Sequence, residues 1–133
     1  MIVVDTNVLV YFYLPTDLTP QATRLRELEP HWIVPRLWKS ELRSALSLYV
    51  RKELLTLEQA LRLQTRAENL LADCEFEMPS QDIFQLVSES TCSAYDCEFV
   101  ALAKHFNTKL VTSDKKVINA FPSIAVSLAK TGA

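Results

Sequence analysis

A chain of 133 residues, 49% apolar and 23% charged, has the length and balance of one globular domain with a sizeable core. No apolar run reaches the ~20 residues a membrane-spanning helix needs, and an opening run without a basic lead, interrupted by Asp5, is unlike a signal peptide. A formal net charge of −2, from 14 basic and 16 acidic residues, lacks the strongly basic footprint of a general nucleic-acid binder but leaves room for a local basic patch.

The first stretch, Ile2-Val3-Val4, ends abruptly at Asp5, Thr6 and Asn7, and reads as a buried strand with a carboxylate at its C-terminal end. A short helix over Asn7 to Tyr13 follows. Thr19-Pro20 has the form of a hydroxyl N-cap followed by proline, opening an amphipathic helix on Ala22, Leu25 and Leu28. Trp32-Ile33-Val34 is a second short strand. Residues 36–53 form a strong helix with Trp38, Leu42, Ala45, Tyr49 and Val50 as its buried stripe. Thr56 and Gln59 have capping-box spacing and open a second long helix to about Ala72, with Leu57, Leu61, Leu63, Leu70 and Leu71 on its apolar side. The two helices make a hairpin over about 36–73.

Phe76-Glu77-Met78 is a further short strand, and Pro79-Ser80 starts a helix through Val87. Ser93 caps a helix from Ala94 to Phe106, and Asn107 is placed for the left-handed residue that ends it. Lys109 to Thr112 form a strand, Lys115 to Ala120 a helical turn, and Ile124 to Leu128 a last strand before a fraying tail. Strands alternating with helices predict an α/β fold in one domain over 1–133: a central parallel sheet with helices on both faces. The single glycine, Gly132, lies in the tail, so no glycine-rich phosphate loop exists. Three cysteines, Cys74, Cys92 and Cys97, make an odd count without CxxC spacing. They favour a reduced, cytoplasmic setting over a disulfide framework or zinc site.

Four acids stand where acids are unusual. Asp5 and Asp114 follow buried strands, at the sheet edge where open α/β folds bind ligands. Glu41 lies beside the apolar stripe of its helix, and Asp96 falls among Phe99, Val100 and Ala103. Each has a structural reading as well: Asp5 and Asp114 as helix caps, Asp96 as a capping-box acid three after Ser93, Glu41 as the partner of an arginine. If they share a crevice, each carboxylate pair at ~4 Å costs roughly 4 kcal/mol at an effective dielectric near 20. Such a cluster persists with protons or a cation, and all-oxygen ligands favour Mg²⁺ or Mn²⁺. That chemistry suits hydrolysis of phosphodiesters.

VVDTNVLVY at the start, WKSELRSAL, YDCEFVALAKH and KLVTSDKKV, in this order from Met1 to about Leu128, resemble the PIN-domain ribonucleases, specifically the VapC-like toxins of toxin–antitoxin pairs. The resemblance implies a three-layer α/β/α sandwich and places Asp5, Glu41, Asp96 and Asp114 on the family's acidic positions, which bind one or two divalent ions and position the attacking water. Thr6 and Asn7 stand where a polar pair buttresses the first acid, and Thr112 or Ser113 does similar work near Asp114. It also implies an RNA substrate, a homodimer and an antitoxin partner.

RNA needs positive charge. Removing the four acids from the 16 leaves 12 against 14 bases. Arg36, Lys39 and Arg43 share the Glu41 helix, Lys115 and Lys116 follow Asp114, and Lys104 and His105 end the Asp96 helix; each is a candidate phosphate contact or a solvated surface charge. Two rival functions remain. A haloacid-dehalogenase-like phosphatase also begins with a strand ending in Asp, but wants a second Asp where Asn7 stands. A non-catalytic scaffold would bind RNA or a partner without cutting.

Overall fold

The computed structural model describes residues 1–131; the expectation of a fraying tail falls partly outside them. Its sheet contains β1 (Ile2–Val4), β2 (Trp32–Pro35), β3 (Glu75–Phe76), β4 (Leu110–Thr112) and β5 (Ala125–Ser127). All pairings are parallel and the spatial order is β3-β2-β1-β4-β5. Val3, Val4, Ile33, Val34 and Leu110 are wholly buried, as expected of branched runs covered on both faces. The expected strand at 76–78 begins earlier, because edge strand β3 owes its bounds to pairing with Val34 and Pro35 of β2.

The helices are α1 (Thr6–Tyr13), α2 (Thr19–Leu28), α3 (Trp38–Arg51), α4 (Leu57–Leu71), α5 (Ser80–Ser88), α6 (Ala94–His105) and α7 (Lys115–Ala120), with a 3-10 turn at Leu128–Lys130. From β1 the chain steps outward to β2 and β3, then returns across the sheet to β4 and β5. Right-handed crossovers run in opposite directions on the two legs, so α1 to α4 cover one face and α5 to α7 the other. The expected α/β/α sandwich is the observed one. Strand order reverses between β1 and β4, so a crevice opens at their C-terminal ends.

Local chemistry explains most helix ends. Thr56 and Gln59 form a complete capping box on α4. Asn107, at φ 51°, ends α6 with paired bonds from its own N–H to Lys104 and from Thr108 to Ala103. Glu53, at φ 61°, ends α3 the same way, through bonds to Val50 and Tyr49.

Three expectations need correction. Thr19 is the first residue of α2 rather than its cap. Its hydroxyl donates to the Tyr11 and Leu14 carbonyls and accepts the Thr16 N–H, tying the α1–α2 corner. Leu57 and Leu61 are not inside: they are 78% and 65% exposed. The buried stripe of α3 is Trp38, Leu42 and Leu46, whereas Ala45 is half-buried. In each case periodicity located an apolar face, but packing neighbours decide which residues on it are covered.

Candidate active site

The reversal between β1 and β4 positions two carboxylates. Asp5 leaves β1 with its N–H still bonded to the Val111 carbonyl at 3.0 Å. One of its carboxylate oxygens caps α1 by accepting the Thr6 N–H at 2.8 Å; the other accepts the Thr112 hydroxyl at 2.8 Å and, more weakly, the Asn7 amide at 3.5 Å. Asp114 follows β4 and caps α7 through the Lys116 N–H at 3.0 Å. Its own N–H donates to Thr112 Oγ1 at 3.0 Å. One fully buried hydroxyl therefore touches both acidic segments.

The other two acids come from helices. Glu41 occupies the first turn of α3 and accepts the Thr6 hydroxyl at 2.7 Å, so its described partner is a threonine rather than an arginine. Asp96 lies in the first turn of α6, where Ser93 Oγ accepts its N–H at 3.0 Å. All four acids thus sit at helix N-termini, and the positive ends of four helix dipoles point toward them. Each favourable placement contributes roughly 0.3–1 kcal/mol, which lessens the repulsion without removing it. For Asp5 and Asp114, helix capping and assembly of the acids are one arrangement, not competing ones; among the described residues the Asp96 carboxylate returns no bond to Ser93, so the expected capping box is not formed.

A cavity of about 360 Å³ is lined by Asp5, Thr6, Asn7, Glu41, Ser44, Ala45, Leu48, Asp96 and Asp114. All four predicted acids and both predicted buttresses of the first acid, Thr6 and Asn7, meet there. Thr112 and Ser113 stand behind: Thr112 holds Asp5, and the Ser113 N–H donates to Asn7 Oδ1 at 3.2 Å. Burial pushes the Asp5 carboxyl above its ordinary value, bonds from Thr112 and Thr6 oppose the shift, and the charges of Asp96 and Asp114 add to it. Burial likewise raises Glu41, against the Thr6 bond and with the charges of Asp5, Asp96 and Glu98.

This donor set suits a hard divalent cation. Its ligands are carboxylate oxygens alone, and their mutual repulsion is the kind a cation relieves. Among the described residues, no three His, Cys, Asp or Glu side chains are yet drawn together as a ligand set. The acids surround a shared space rather than converging on a point.

The basic candidates are placed differently. Arg36 follows β2 and pairs with Glu77 at 3.7 Å, both exposed. Lys115 is the exposed first residue of α7. Lys39 lies on α3 with its carbonyl accepting from Gln64 at 3.2 Å. Arg43 pairs with Glu68 at 3.8 Å and lines a second hollow, between α3 and α4. None of these four lines the acidic cavity among the described residues.

The second hollow is an apolar groove of about 360 Å³ walled by Leu46, Val50, Leu57, Ala60 and Leu61. The buried Gln64 reaches it, and its Oε1 has no hydrogen-bond partner among the described residues. Helix α3 separates the two hollows, with Leu48 on the acidic side and Leu46 on the other. The sequence reading missed this groove, although the leucine spacing on α4 was its signal.

The model of the PIN domain family matches residues 2–122. The chain belongs to the PIN domain family. A relative, Ribonuclease VapC3 of Pyrobaculum aerophilum, is 26% identical over 136 residues, covering 92% of this chain and 96% of its own. The crystal structure of FitAcB from Neisseria gonorrhoeae has the same fold, with TM-score 0.76 and 20% identity over 98% of this chain and 99% of that one. A toxin–antitoxin complex from Klebsiella pneumoniae matches with TM-score 0.72 and 16% identity, over 96% and 98%. The resemblance carried by the four sequence segments is therefore to the right family, and the PIN-domain fold spans nearly the whole chain.

Proposed function

We propose that this PIN domain is a divalent-metal-dependent endoribonuclease and the toxin of a toxin–antitoxin pair, acting in the cytoplasm. The observation that carries the reading is the meeting of Asp5, Glu41, Asp96 and Asp114 around one cavity at the reversal of strand order. A relative named as a ribonuclease and a fold neighbour from a toxin–antitoxin complex support it.

Asp5, Glu41, Asp96 and Asp114 would hold Mg²⁺ or Mn²⁺. When bound, such an ion neutralises phosphate oxygens and makes a water a stronger nucleophile at neutral pH. The chain's own work is orientation. Thr112 and the Thr6 N–H fix the two oxygens of Asp5, Thr6 Oγ1 fixes Glu41, and Asn7 braces Asp5 and Ser113. Arg36 and Lys115, at the C-terminal edge of the sheet, take the flanking RNA phosphates, with Lys39 on α3; Arg43 faces the groove between α3 and α4 instead. We assign the groove between α3 and α4 to the antitoxin: an amphipathic segment whose apolar side covers Leu57 and Leu61, with a donor for Gln64 Oε1 and acidic groups for Arg43 and Arg51. A homodimer is part of the reading.

The test is cleavage of an RNA substrate with Mg²⁺, with Mn²⁺, and with chelator. Cleavage that needs the metal and vanishes in Asp5→Asn and Asp96→Asn is expected. Cutting by those variants at the wild-type rate overturns the site, and absence of cutting by the wild type in all three conditions favours the non-catalytic scaffold. The phosphatase reading is disfavoured because Asn7 occupies the second acid's place and spends its amide on Thr112 and Asp5.

A further inference from the structure

Tyr11 lies one helical turn beyond Asn7 on α1, so the two side chains share a face. Both reach the same residue. Asn7 Oδ1 accepts the Ser113 N–H at 3.2 Å, and the Tyr11 hydroxyl meets Ser113 Oγ at 3.1 Å. Ser113 immediately precedes Asp114, whose N–H rests on Thr112 Oγ1 at 3.0 Å, and Thr112 donates in turn to Asp5 at 2.8 Å.

These contacts do different jobs. Asn7 holds the Ser113 backbone, and Thr112 Oγ1 holds the next N–H, that of Asp114. The Tyr11 bond adds a third point, on the Ser113 side chain. Without a cation, Asp5 and Asp96 repel Asp114, and any yielding of this segment would let it move away. Two anchors on one helix hold the segment against it. Among the described residues, Tyr11 is the sole hydrogen-bond partner of the Ser113 hydroxyl.

We infer that Tyr11 is a positioning residue for this site: through Ser113 it sets how far Asp114 stands from Asp5, and so how tightly the pocket takes up a divalent cation. The inference rests on the metal-binding reading above and assigns to that site a residue lying outside the cavity.

The test uses Mn²⁺ alone as the probe, with binding measured by calorimetry on the full chain. Wild type, Tyr11→Phe, Ser113→Ala and the double variant are compared, and the metal-free melting temperature of each is recorded. Phenylalanine keeps the ring and its packing; alanine keeps the Ser113 N–H for Asn7. Each single variant is expected to weaken Mn²⁺ binding by about tenfold, the lower end for groups that orient metal ligands. The double variant should bind no more weakly than either single one, because both remove the same bond. If the single variants bind Mn²⁺ as the wild type does and only melt lower, Tyr11 is a strut between α1 and β4 and the inference fails. Losses that add in the double variant overturn it as well. Failure of the wild type itself to bind Mn²⁺ removes the metal reading and this inference together, an outcome distinct from the other two.

Discussion

Thr6 Oγ1 stands 2.7 Å from Glu41 Oε1, a bond between residues 35 apart in the chain that joins the start of α1 to the first turn of α3. Thr6 is 8% exposed, so its hydroxyl has little water to turn to. The bond also lowers the Glu41 pKa against burial. In Thr6→Val the carboxylate loses that support and its pKa rises further. The expected result is RNA cleavage slower by about 10–100-fold, with the acidic limb of the pH–rate profile moved to higher pH. An unshifted limb would separate Glu41 from the rate.

Removal of single charges separates cation binding from folding. Asp114→Asn keeps an N-cap of nearly equal quality on α7 but deletes one of the repelling charges. Its metal-free melting temperature should equal or exceed that of the wild type, while Mn²⁺ binding and RNA cleavage fall by at least about 100-fold, beyond the range seen for groups that only orient a ligand. Calorimetry and thermal melting in chelator give the two readings. A lower melting temperature with intact Mn²⁺ binding would make Asp114 a cap and nothing more.

Stability should depend on pH in an unusual direction. Burial raises Asp5 and Glu41 above their ordinary values of 3.8 and 4.5, and Glu98 is raised by burial and then by Glu77. A carboxyl whose pKa is raised by folding stabilises the fold while protonated. That contribution is complete below the ordinary values and is lost as pH rises through the raised ones. Metal-free protein should therefore melt at lower temperature as pH climbs from the ordinary carboxylate range toward neutrality. Saturating Mn²⁺ should reverse the slope, since the cation binds the deprotonated groups. Melting curves in chelator that rise through the same window would contradict the arrangement.

Glu53 holds φ 61° at the end of α3, a conformation that costs a side-chain-bearing residue about 1 kcal/mol relative to glycine. Glu53→Gly should stabilise the chain by about that amount, a rise of roughly 4 °C in melting temperature, with RNA cleavage unchanged because the residue does not line the acidic cavity. Denaturant and thermal unfolding measure the gain.

Leu57 and Leu61 present large exposed apolar surface on α4. Replacing both with serine should change folding stability by no more than about 0.5 kcal/mol each and leave RNA cleavage intact. Binding of the proposed antitoxin, co-expressed and co-purified with the wild type, should be lost. Retained binding would move the antitoxin off this groove.

The acids were legible because each broke a local rule. A branched apolar run that ends in Asp5 or precedes Asp114 marks the C-terminal end of a buried strand, and a carboxylate among Phe99, Val100 and Ala103 contradicts its own helix face. Asn107 was legible as a left-handed cap for a similarly local reason. Tyr11 was not, since an aromatic residue in an apolar run reads as core, and only its distance to Ser113 shows what the hydroxyl does. Leu57 and Leu61 misled because a 3.6-residue period is the same whether the stripe faces this chain or another.

What the sequence by itself determined is the alternation of strand and helix, hence the parallel sheet, and the presence of four carboxylates at positions where acids are unusual; these follow from side-chain polarity and backbone preference over a few residues. What only the tertiary structure decided is that the sheet reverses order between β1 and β4, that four helix N-termini face one cavity, and that Thr6, Thr112 and the Tyr11–Ser113 pair brace it. Those relations join residues 35 to 107 positions apart, and their geometry is set by close packing of the whole core rather than by any segment's own preference.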